Sequence, residues 1–262
     1  MIACVIRPVA DNPKILKSNT PDAMALVREI CSEQWVLGAE LVKEDERTSV
    51  FSGECAQGPV IVKTMRLDRL KDRASVLVGT TRLIRQWRGW ELLDRSGVDS
   101  PPCLALVRDG DVETLMMRRV EGRTLLDFIV RQEATAEERV RVGALVAGML
   151  NEMDAANLFN RDTKPDNLIV SPALDRLSVI DTVGVRSSSR PDALARMAAT
   201  LLIEPLGLGH SVPLTDRMRV LVRMDSVRDR ATFWQKVDRI YAARGVPAAK
   251  VASPSAADAR EQ

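Results

Sequence analysis

Histidine and cysteine are scarce in this chain, and their scarcity limits the metal chemistry that it can support. His210 is the only histidine among the 262 residues. The four cysteines lie far apart and include no CxxC pair: Cys4, Cys31, Cys55 and Cys103. Because structural zinc is held mainly by closely spaced cysteine and histidine side chains, the sequence argues against a zinc site.

A large charge excess and a long apolar run are also missing. The formal net charge is only +2, so we expect no strong attraction to nucleic acid. No segment reaches about 18 consecutive apolar residues, which predicts that the chain has no transmembrane segment. The scattered thiols indicate a reducing compartment, and residues 1–9 lack the apolar run of a secretory leader. Together they predict a cytoplasmic protein.

The first half of the chain alternates short apolar runs with turn residues, a pattern that predicts strands. Residues 1–34 are predicted to form an N-terminal extension with a helix over 21–31. Apolar residues at helical spacing, beginning with Leu83 and Trp87, predict one further helix. The predicted order is three strands, a helix and two strands: 35–37, 50–55, 59–63, 80–96, 103–107 and 113–120.

The second half is predicted to be mainly helical. From residue 246 onward alanine, proline and serine dominate, which predicts a disordered tail over 246–262. Before the tail, the predicted helices are 124–131, 136–156, 191–203, 214–222 and 228–244, and the predicted strands are 167–170 and 177–180.

The stretch from Asn160 to Val170 carries the strongest functional pattern. It places Asp162 ahead of Lys164 and Asn167, and it then becomes apolar at once. Phosphoryl transfer uses a carboxylate that orients and deprotonates a hydroxyl and an amide oxygen that holds a metal ion. The alternative is a solvated polar loop between a helix and a strand, but the order of residue types favours a catalytic loop.

This stretch resembles the catalytic loop of the protein-kinase-like superfamily, whose usual pattern is His-Arg-Asp followed by four residues and Asn. Asn160 stands at the histidine position. The resemblance implies an α+β, protein-kinase-like bilobal fold, with a small antiparallel β N-lobe over 35–121 and a reduced, mainly helical C-lobe over 122–245. It also implies ATP and Mg²⁺ as cofactors.

The resemblance assigns a role to each central residue. Asp162 would be the catalytic base, and Lys164 would neutralise charge on the transferred phosphate. Asn167 and Asp181 would hold Mg²⁺, an ion that prefers few protein oxygens completed by water and phosphate. Lys63, at the end of a predicted strand, would contact the α- and β-phosphates of ATP. Each residue also has a structural alternative, since lysine often ends a strand and aspartate often begins a turn.

Several positions depart from the kinase pattern. Gln86 stands where kinases place the helical glutamate that pairs with the lysine, and we expect it to hydrogen-bond Lys63 instead. The phosphate-covering turn lacks a glycine-rich run, so backbone amides or the hydroxyls of Thr48 and Ser49 are the expected phosphate contacts. The segment from Met117 to Val120 resembles the hinge that binds adenine through its backbone.

A second departure involves two positions at once. Asp181-Thr182-Val183-Gly184 replaces the Asp-Phe-Gly of kinases, just as Asn160 replaces the histidine. In the superfamily that histidine and phenylalanine pack on each other. We therefore expect a hydrogen bond between the Asn160 and Thr182 side chains.

The segment after Asp181 is short for a protein kinase. Residues 182–190 separate Asp181 from the next predicted helix, and no Ala-Pro-Glu follows. Over residues 35–205 the chain resembles the bacterial lipopolysaccharide kinase family, the Kdo/heptose kinases. That resemblance implies transfer from ATP to a core-sugar hydroxyl, with peripheral association at the inner face of the cytoplasmic membrane. Two alternatives stay open: a Ser/Thr protein kinase or other small-molecule kinase, and a nucleotide-binding pseudokinase.

Overall fold

The computed structural model describes residues 13–131 and 133–244, which fall into two compact units. The first takes in the described part of Met1–Trp90 together with Pro101–Arg119. The second takes in Glu91–Ser100 and the described part of Val120–Gln262. Cys4 and the tail predicted over 246–262 lie outside the described residues.

The first unit is built on an antiparallel sheet of six strands. Its elements, in chain order, are β1 (Lys14–Ser18), α1 (Ala23–Ile30), α2 (Glu33–Gly38), β2 (Glu40–Glu44), β3 (Thr48–Cys55), β4 (Gly58–Arg66), α3 (Leu70–Leu77), α4 (Arg82–Arg95), which begins in this unit, β5 (Cys103–Asp109) and β6 (Val112–Arg118). The strand order across the sheet is β1-β5-β6-β4-β3-β2, and all neighbours are antiparallel. The predicted α+β class and the predicted strands from residue 50 onward in this unit are confirmed.

The strand predicted over 35–37 is wrong, because these residues belong to α2. The Ser32 side chain caps this helix by accepting a hydrogen bond from Trp35 N at 3.2 Å. The Trp35 indole is buried, and its Nε1 donates to Glu54 O at 2.7 Å. Its ring lies so close to Gly53 that a Cβ there would be 2.6 Å from Cζ2. A capping serine and a tightly seated indole therefore favour the helix over a strand.

Residues of the predicted N-terminal extension take part in the first unit. β1 pairs with β5, with Lys14 opposite Arg108. α1, within the predicted range 21–31, buries Leu26, Val27 and Ile30 in the core on one face of the sheet. The sheet thus includes an edge strand that the sequence pattern did not reveal.

The alternation of β4 decides which way Lys63 points. Val60 and Val62 belong to the core that includes α1, whereas Met65 belongs to the core on the other face, which includes residues of α4. Successive side chains of a strand point to opposite faces, so Lys63 shares the face of Met65. The register therefore directs Lys63 toward the face that carries α4.

The second unit is mainly helical. Its elements are β7 (Arg123–Thr124), α5 (Leu125–Arg131), α6 (Ala136–Ala155), β8 (Leu158–Asn160), a 3-10 turn (Pro165–Asn167), β9 (Leu168–Val170), β10 (Leu177–Val179), β11 (Val185–Ser187), α7 (Ala193–Gly207), α8 (Leu214–Leu221) and α9 (Arg230–Ala243). α6 begins with a capping box between Thr135 and Glu138 and buries Met149, Leu150 and Met153 in the core. Within the described ranges, no helix has the length and apolarity needed to cross a membrane.

Two small sheets in the second unit position its loops. β9 pairs with both β10 and β7, and β8 pairs with β11 so that Asn160 lies opposite Val185. At the edge, a Cβ on Gly122 would lie 2.1 Å from Val170 O, and its φ is +141°. Only glycine fits this close approach to β9. The loops that leave β8 and β10 therefore start from paired strands.

Candidate active site

Lys63 and Gln86 meet on one face of the sheet in the first unit, as the sequence predicts. Lys63 lies on β4 opposite Val50 and Leu115 of the neighbouring strands. Gln86 lies on α4, is 1% exposed, and places Oε1 3.4 Å from Lys63 Nζ. Because the acceptor is a neutral amide oxygen, this contact orients the ammonium group without neutralising its charge.

Gln86 also links Lys63 to the core. Its Nε2 donates to Met117 Sδ at 3.7 Å. Met117 is buried in the same cluster as Trp87 and Trp90, whose rings meet edge to face with centroids 5.3 Å apart. Met117 is thus a packed neighbour of Gln86, and its role beside adenine stays a prediction.

The turn predicted to cover the phosphates is closed by its own aspartate. Asp45 Oδ1 accepts from the backbone amides of Arg47 at 3.0 Å and Thr48 at 2.8 Å. These bonds, that of Arg47 first, lower the pKa of Asp45. The amides of Arg47 and Thr48 are therefore already engaged, and the structure does not offer them to phosphate.

Thr48 and Ser49 lie on opposite faces of the sheet. Thr48 is paired with Met65 and shares the face of Lys63, whereas Ser49 is paired with Thr64 on the other face. Ser49 is also 1% exposed. Of the two predicted phosphate-contacting hydroxyls, the structure brings only that of Thr48 to the face that carries Lys63.

Thr48 lines a polar cleft of about 340 Å³ that sequence reasoning did not foresee. Arg47, in the same cleft, is held by α3, where Asp72 accepts from its guanidinium. α3 was not predicted from the sequence, and in the structure Leu70 and Leu77 at its two ends are exposed. The turn predicted to cover the phosphates is thus anchored to a helix that only the structure reveals.

Val120, at the end of the predicted hinge segment, is the first residue of the second unit after Arg119. It is half-buried, and its backbone amide makes no hydrogen bond with another described residue. A backbone N–H that is not used within the described residues can donate to an adenine ring, which presents acceptor nitrogens at its edge. This role stays a prediction.

The Asp162 loop is held together by its own side chains. Asn160 Oδ1 accepts from Asp162 N at 3.0 Å, and Thr163 Oγ1 donates to Asn160 O at 2.8 Å. Asn167 Nδ2 donates to Asp162 O at 2.9 Å. These bonds pair backbone groups that a loop otherwise leaves to water, and they keep Asp162 in a defined position.

A backbone bond joins the segments that carry Asn167 and Asp181. Ile180 N donates to Asn167 O at 3.0 Å, directly after the last residue of β10. Asp181 Oδ1 accepts from Val183 N at 3.3 Å, and Thr182 O accepts from Val185 N at 3.1 Å, so a tight turn follows. The structure therefore brings these two predicted metal-binding segments side by side.

The donor atoms of these segments fit a magnesium ion. The Asn167 amide is oriented by its Nδ2 bond to Asp162 O, and its Oδ1 accepts no hydrogen bond from a described residue. Asp181 adds a carboxylate. Amide and carboxylate oxygens are hard ligands of the kind that Mg²⁺ prefers, with water and phosphate completing its shell.

Gly184 allows a close approach that sequence reasoning missed. A Cβ at this position would lie 2.7 Å from Asn160 Oδ1, 2.7 Å from Asp162 Oδ2 and 3.0 Å from Asp162 N. Its carbonyl oxygen also accepts from Arg161 N at 3.3 Å. Only a residue without a side chain fits against the Asp162 carboxylate here, so the glycine that ends the Asp181 turn shapes the site.

The expected hydrogen bond between Asn160 and Thr182 is not formed. Asn160 is 1% exposed, its Oδ1 is used by Asp162 N, and its Nδ2 has no hydrogen-bond partner among the described residues. The side chain at the histidine position therefore supports the backbone of the Asp162 loop, because its oxygen accepts from Asp162 N.

Arg161 is a further residue that sequence reasoning missed. Its guanidinium binds Asp162, with Nη2 3.0 Å from Oδ2. The hydrogen bond and charge of Asp162, with the more distant charge of Asp181, raise the pKa of Arg161. Lys164, by contrast, is exposed.

Comparison with known proteins gives partial similarity. No protein-family profile matches the chain. The serine/threonine-protein kinase PkaB of Streptomyces coelicolor is 32% identical over 126 residues, which are 47% of this chain and 28% of that kinase. The chain thus matches less than a third of that kinase's length. This similarity supports a protein-kinase-like relationship, and neither comparison supports the lipopolysaccharide kinase family in particular.

Proposed function

We propose that the chain is an ATP-dependent phosphotransferase that moves the γ-phosphate to a hydroxyl group. The observation that carries the proposal is the bond from Ile180 N to Asn167 O. It joins the segments of two oxygen donors, Asn167 and Asp181, while Asp162 is held in the same loop as Asn167. Phosphoryl transfer needs such a set of groups: oxygen ligands for the magnesium ion of Mg-ATP and a carboxylate that accepts the proton of the hydroxyl.

The second unit would supply the reacting groups. Asp162 orients the acceptor hydroxyl and takes its proton at a carboxylate oxygen. Lys164, exposed and charged, stabilises negative charge on the transferred group. Asn167 and Asp181 would hold Mg²⁺. ATP would supply the phosphoryl group, and the metal ion would offset the negative charge of its phosphates.

The first unit would contribute to nucleotide binding. Lys63, oriented by Gln86, would bind phosphate oxygens of ATP. Thr48 shares the face of Lys63 and would add a hydroxyl donor. Met117 and Val120 would contact adenine, the first by packing and the second through its backbone amide.

The short segment after Asp181 supports a small acceptor, and a lipopolysaccharide core sugar is the first candidate. β11 occupies Val185–Ser187 and pairs with β8, and α7 begins at Ala193. This leaves little chain for a peptide-binding platform. An acceptor of this kind would place the protein at the inner face of the cytoplasmic membrane.

A Ser/Thr protein kinase is the second candidate. It is favoured by the 32% identity with a serine/threonine-protein kinase over 126 residues. The shared chemistry is transfer to an alcohol group, so the two candidates differ only in the acceptor.

Nucleotide binding is tested by thermal denaturation of the full chain. Mg-ATP should raise the melting temperature, because a ligand that binds only the native state stabilises it by mass action. Asp181→Ala should lose the Mg²⁺-dependent part of this shift, whereas Asp166→Ala, at an exposed neighbouring carboxylate, should keep it. The absence of any shift at millimolar Mg-ATP would contradict the proposal.

The acceptor is tested with labelled ATP, Mg²⁺ and two substrates offered separately. Label in a lipopolysaccharide core fraction supports the sugar kinase, and label in a generic protein substrate supports the protein kinase. Binding without transfer to either substrate, in the presence of a full thermal shift, would favour the pseudokinase.

A further inference from the structure

An apolar cavity of about 110 Å³ lies among five helices of the second unit, from α5 to α9. Most of its lining is aliphatic or aromatic, including Val146, Leu201 and Phe233. None of the residues assigned to phosphoryl transfer lines it. Ligand sites are typically cavities of this composition in which a few polar groups set the orientation of the ligand.

The charged groups of the lining leave one arginine uncompensated. Asp216 accepts from Arg139 Nη1 at 3.4 Å and from Arg219 Nη1 at 2.6 Å, so its carboxylate is already shared by two cations. Arg217, which also lines the cavity, makes no ion pair with a described residue. Among the described lining residues, Arg217 is therefore a cation that no carboxylate pairs directly.

Two buried N–H groups of the lining residues have no acceptor. Arg217 Nε and Trp234 Nε1 are buried, and neither makes a hydrogen bond within the described ranges. Trp234 is 6% exposed, and the Arg217 Cζ lies 6.0 Å from the centroid of its ring. Buried donors in native proteins nearly always have an acceptor, so a pair of them beside an apolar cavity suits a ligand that carries acceptor oxygens.

The other groups around Arg217 do not neutralise it. Burial raises the pKa of the Tyr241 hydroxyl, so Tyr241 is neutral at pH 7. The charge of Asp238 offsets the burial of Arg217 only in part. Burial lowers the pKa of Arg217, because keeping a cation out of water costs free energy. An anion placed against the guanidinium would offset that cost.

We propose that this cavity binds a small carboxylic acid with a compact apolar body. The body fills the space between the helices, and the carboxylate accepts hydrogen bonds from Arg217 and Trp234. An apolar cavity of about 150 Å³ accommodates benzene, so this smaller cavity suits a branched body of about four or five carbon atoms. This site is independent of the proposed phosphotransferase.

The test uses the full chain and two probes of equal size, 3-methylbutanoate and 3-methylbutan-1-ol. Isothermal titration calorimetry should show that the acid binds wild type about tenfold or more tightly than the alcohol, because a hydrogen bond to a charged group contributes more than a neutral one. Arg217→Gln should abolish this difference. The matched control Arg223→Gln, an exposed arginine that does not line the cavity, should preserve it.

A variant that fills the cavity tests whether the probes bind there. Ala198→Leu adds volume to the lining and should remove binding of both probes. Equal affinity of acid and alcohol for wild type would overturn the proposal, as would acid binding that Ala198→Leu leaves unchanged. Failure of the acid to bind up to about 10 mM would overturn it as well. The comparison of probes on wild type keeps the test decisive if Arg217→Gln does not fold.

Discussion

The guanidinium of Arg161 holds both carboxylate oxygens of Asp162. Its Nε lies 3.3 Å from Oδ1, and its Nη2 lies 3.0 Å from Oδ2. Such a fork occupies the oxygens that a proton-accepting carboxylate must offer to a hydroxyl. The Arg161 side chain is 63% exposed, so water competes for it and the pair opens at little cost. For Asp162 to act as a base, Arg161 must first release it.

Arg161→Gln is expected to change turnover little. An exposed ion pair contributes about 1 kcal/mol or less, which corresponds to a change in rate of less than about fivefold. The measurement is kcat/KM for transfer from Mg-ATP to an acceptor. A loss of about a hundredfold would instead mean that Arg161 contacts the transferred phosphate.

Asp162→Asn is expected to reduce turnover by about a hundred- to ten-thousandfold, the usual contribution of general-base catalysis. The amide keeps the shape of the side chain but removes its basicity. Mg-ATP affinity should stay nearly constant, because Lys63, Asn167 and Asp181 would carry it. Asp166→Asn is the matched control and should leave both quantities unchanged. Undiminished turnover in Asp162→Asn would show that the base lies elsewhere.

Gly184→Ala is expected to displace the Asp162 carboxylate, since its Cβ would lie 2.7 Å from Asp162 Oδ2 and 2.7 Å from Asn160 Oδ1. Overpacking costs about 1–3 kcal/mol of stability, and a small misplacement of a catalytic group costs on the order of a hundredfold in rate. Urea unfolding and turnover assays measure the two effects. Gly148→Ala, in α6 with no atom within 4 Å of the added Cβ, should stabilise the helix instead. Normal turnover in Gly184→Ala would mean that this contact is not needed.

Glu113→Ala is expected to lower the free energy of unfolding by about 3–5 kcal/mol, because it leaves the largely buried Arg108 guanidinium, 17% exposed, without its carboxylate. Glu113 is fully buried, binds the Arg108 guanidinium, and accepts from Thr81 Oγ1 at 2.6 Å. Glu54→Ala is the control, since its 2.9 Å pair with Arg119 is solvent-exposed and contributes less than about 1 kcal/mol. Urea denaturation compares the two variants. Equal losses of unfolding free energy in the two variants would show that burial of the Glu113 ion pair does not increase its contribution to stability.

Elements with a clear local pattern were predicted well. The strands predicted over 50–55 and 59–63 correspond to β3 and β4, joined by a turn in which Gly58 has a φ of +97°. The helix predicted over 136–156 corresponds to α6, where the capping box marks the start. Alternating apolar residues, capping side chains and turn glycines are local signals, so one sequence suffices to detect them.

Elements that depend on distant partners were missed. β1 has no distinctive pattern and is a strand because it pairs with β5. The segment over 35–37 looks like a strand by composition but is helical, since Trp35 is seated against Gly53 and Glu54. Short segments are decided by such tertiary contacts more than by propensity.

The sequence by itself determined the order of the catalytic-loop residues, the contact expected between Lys63 and Gln86, and the class of the fold. The first follows from residue type and spacing, which are local properties, and the other two were inferred from the resemblance to kinases. Only the tertiary structure decided that Ser49 faces away from Lys63, that Asn160 bonds the Asp162 backbone, and that Arg161 and Gly184 press against the Asp162 carboxylate. Strand register and the approach of separate chain segments set these contacts, and neither is written in any one stretch of sequence.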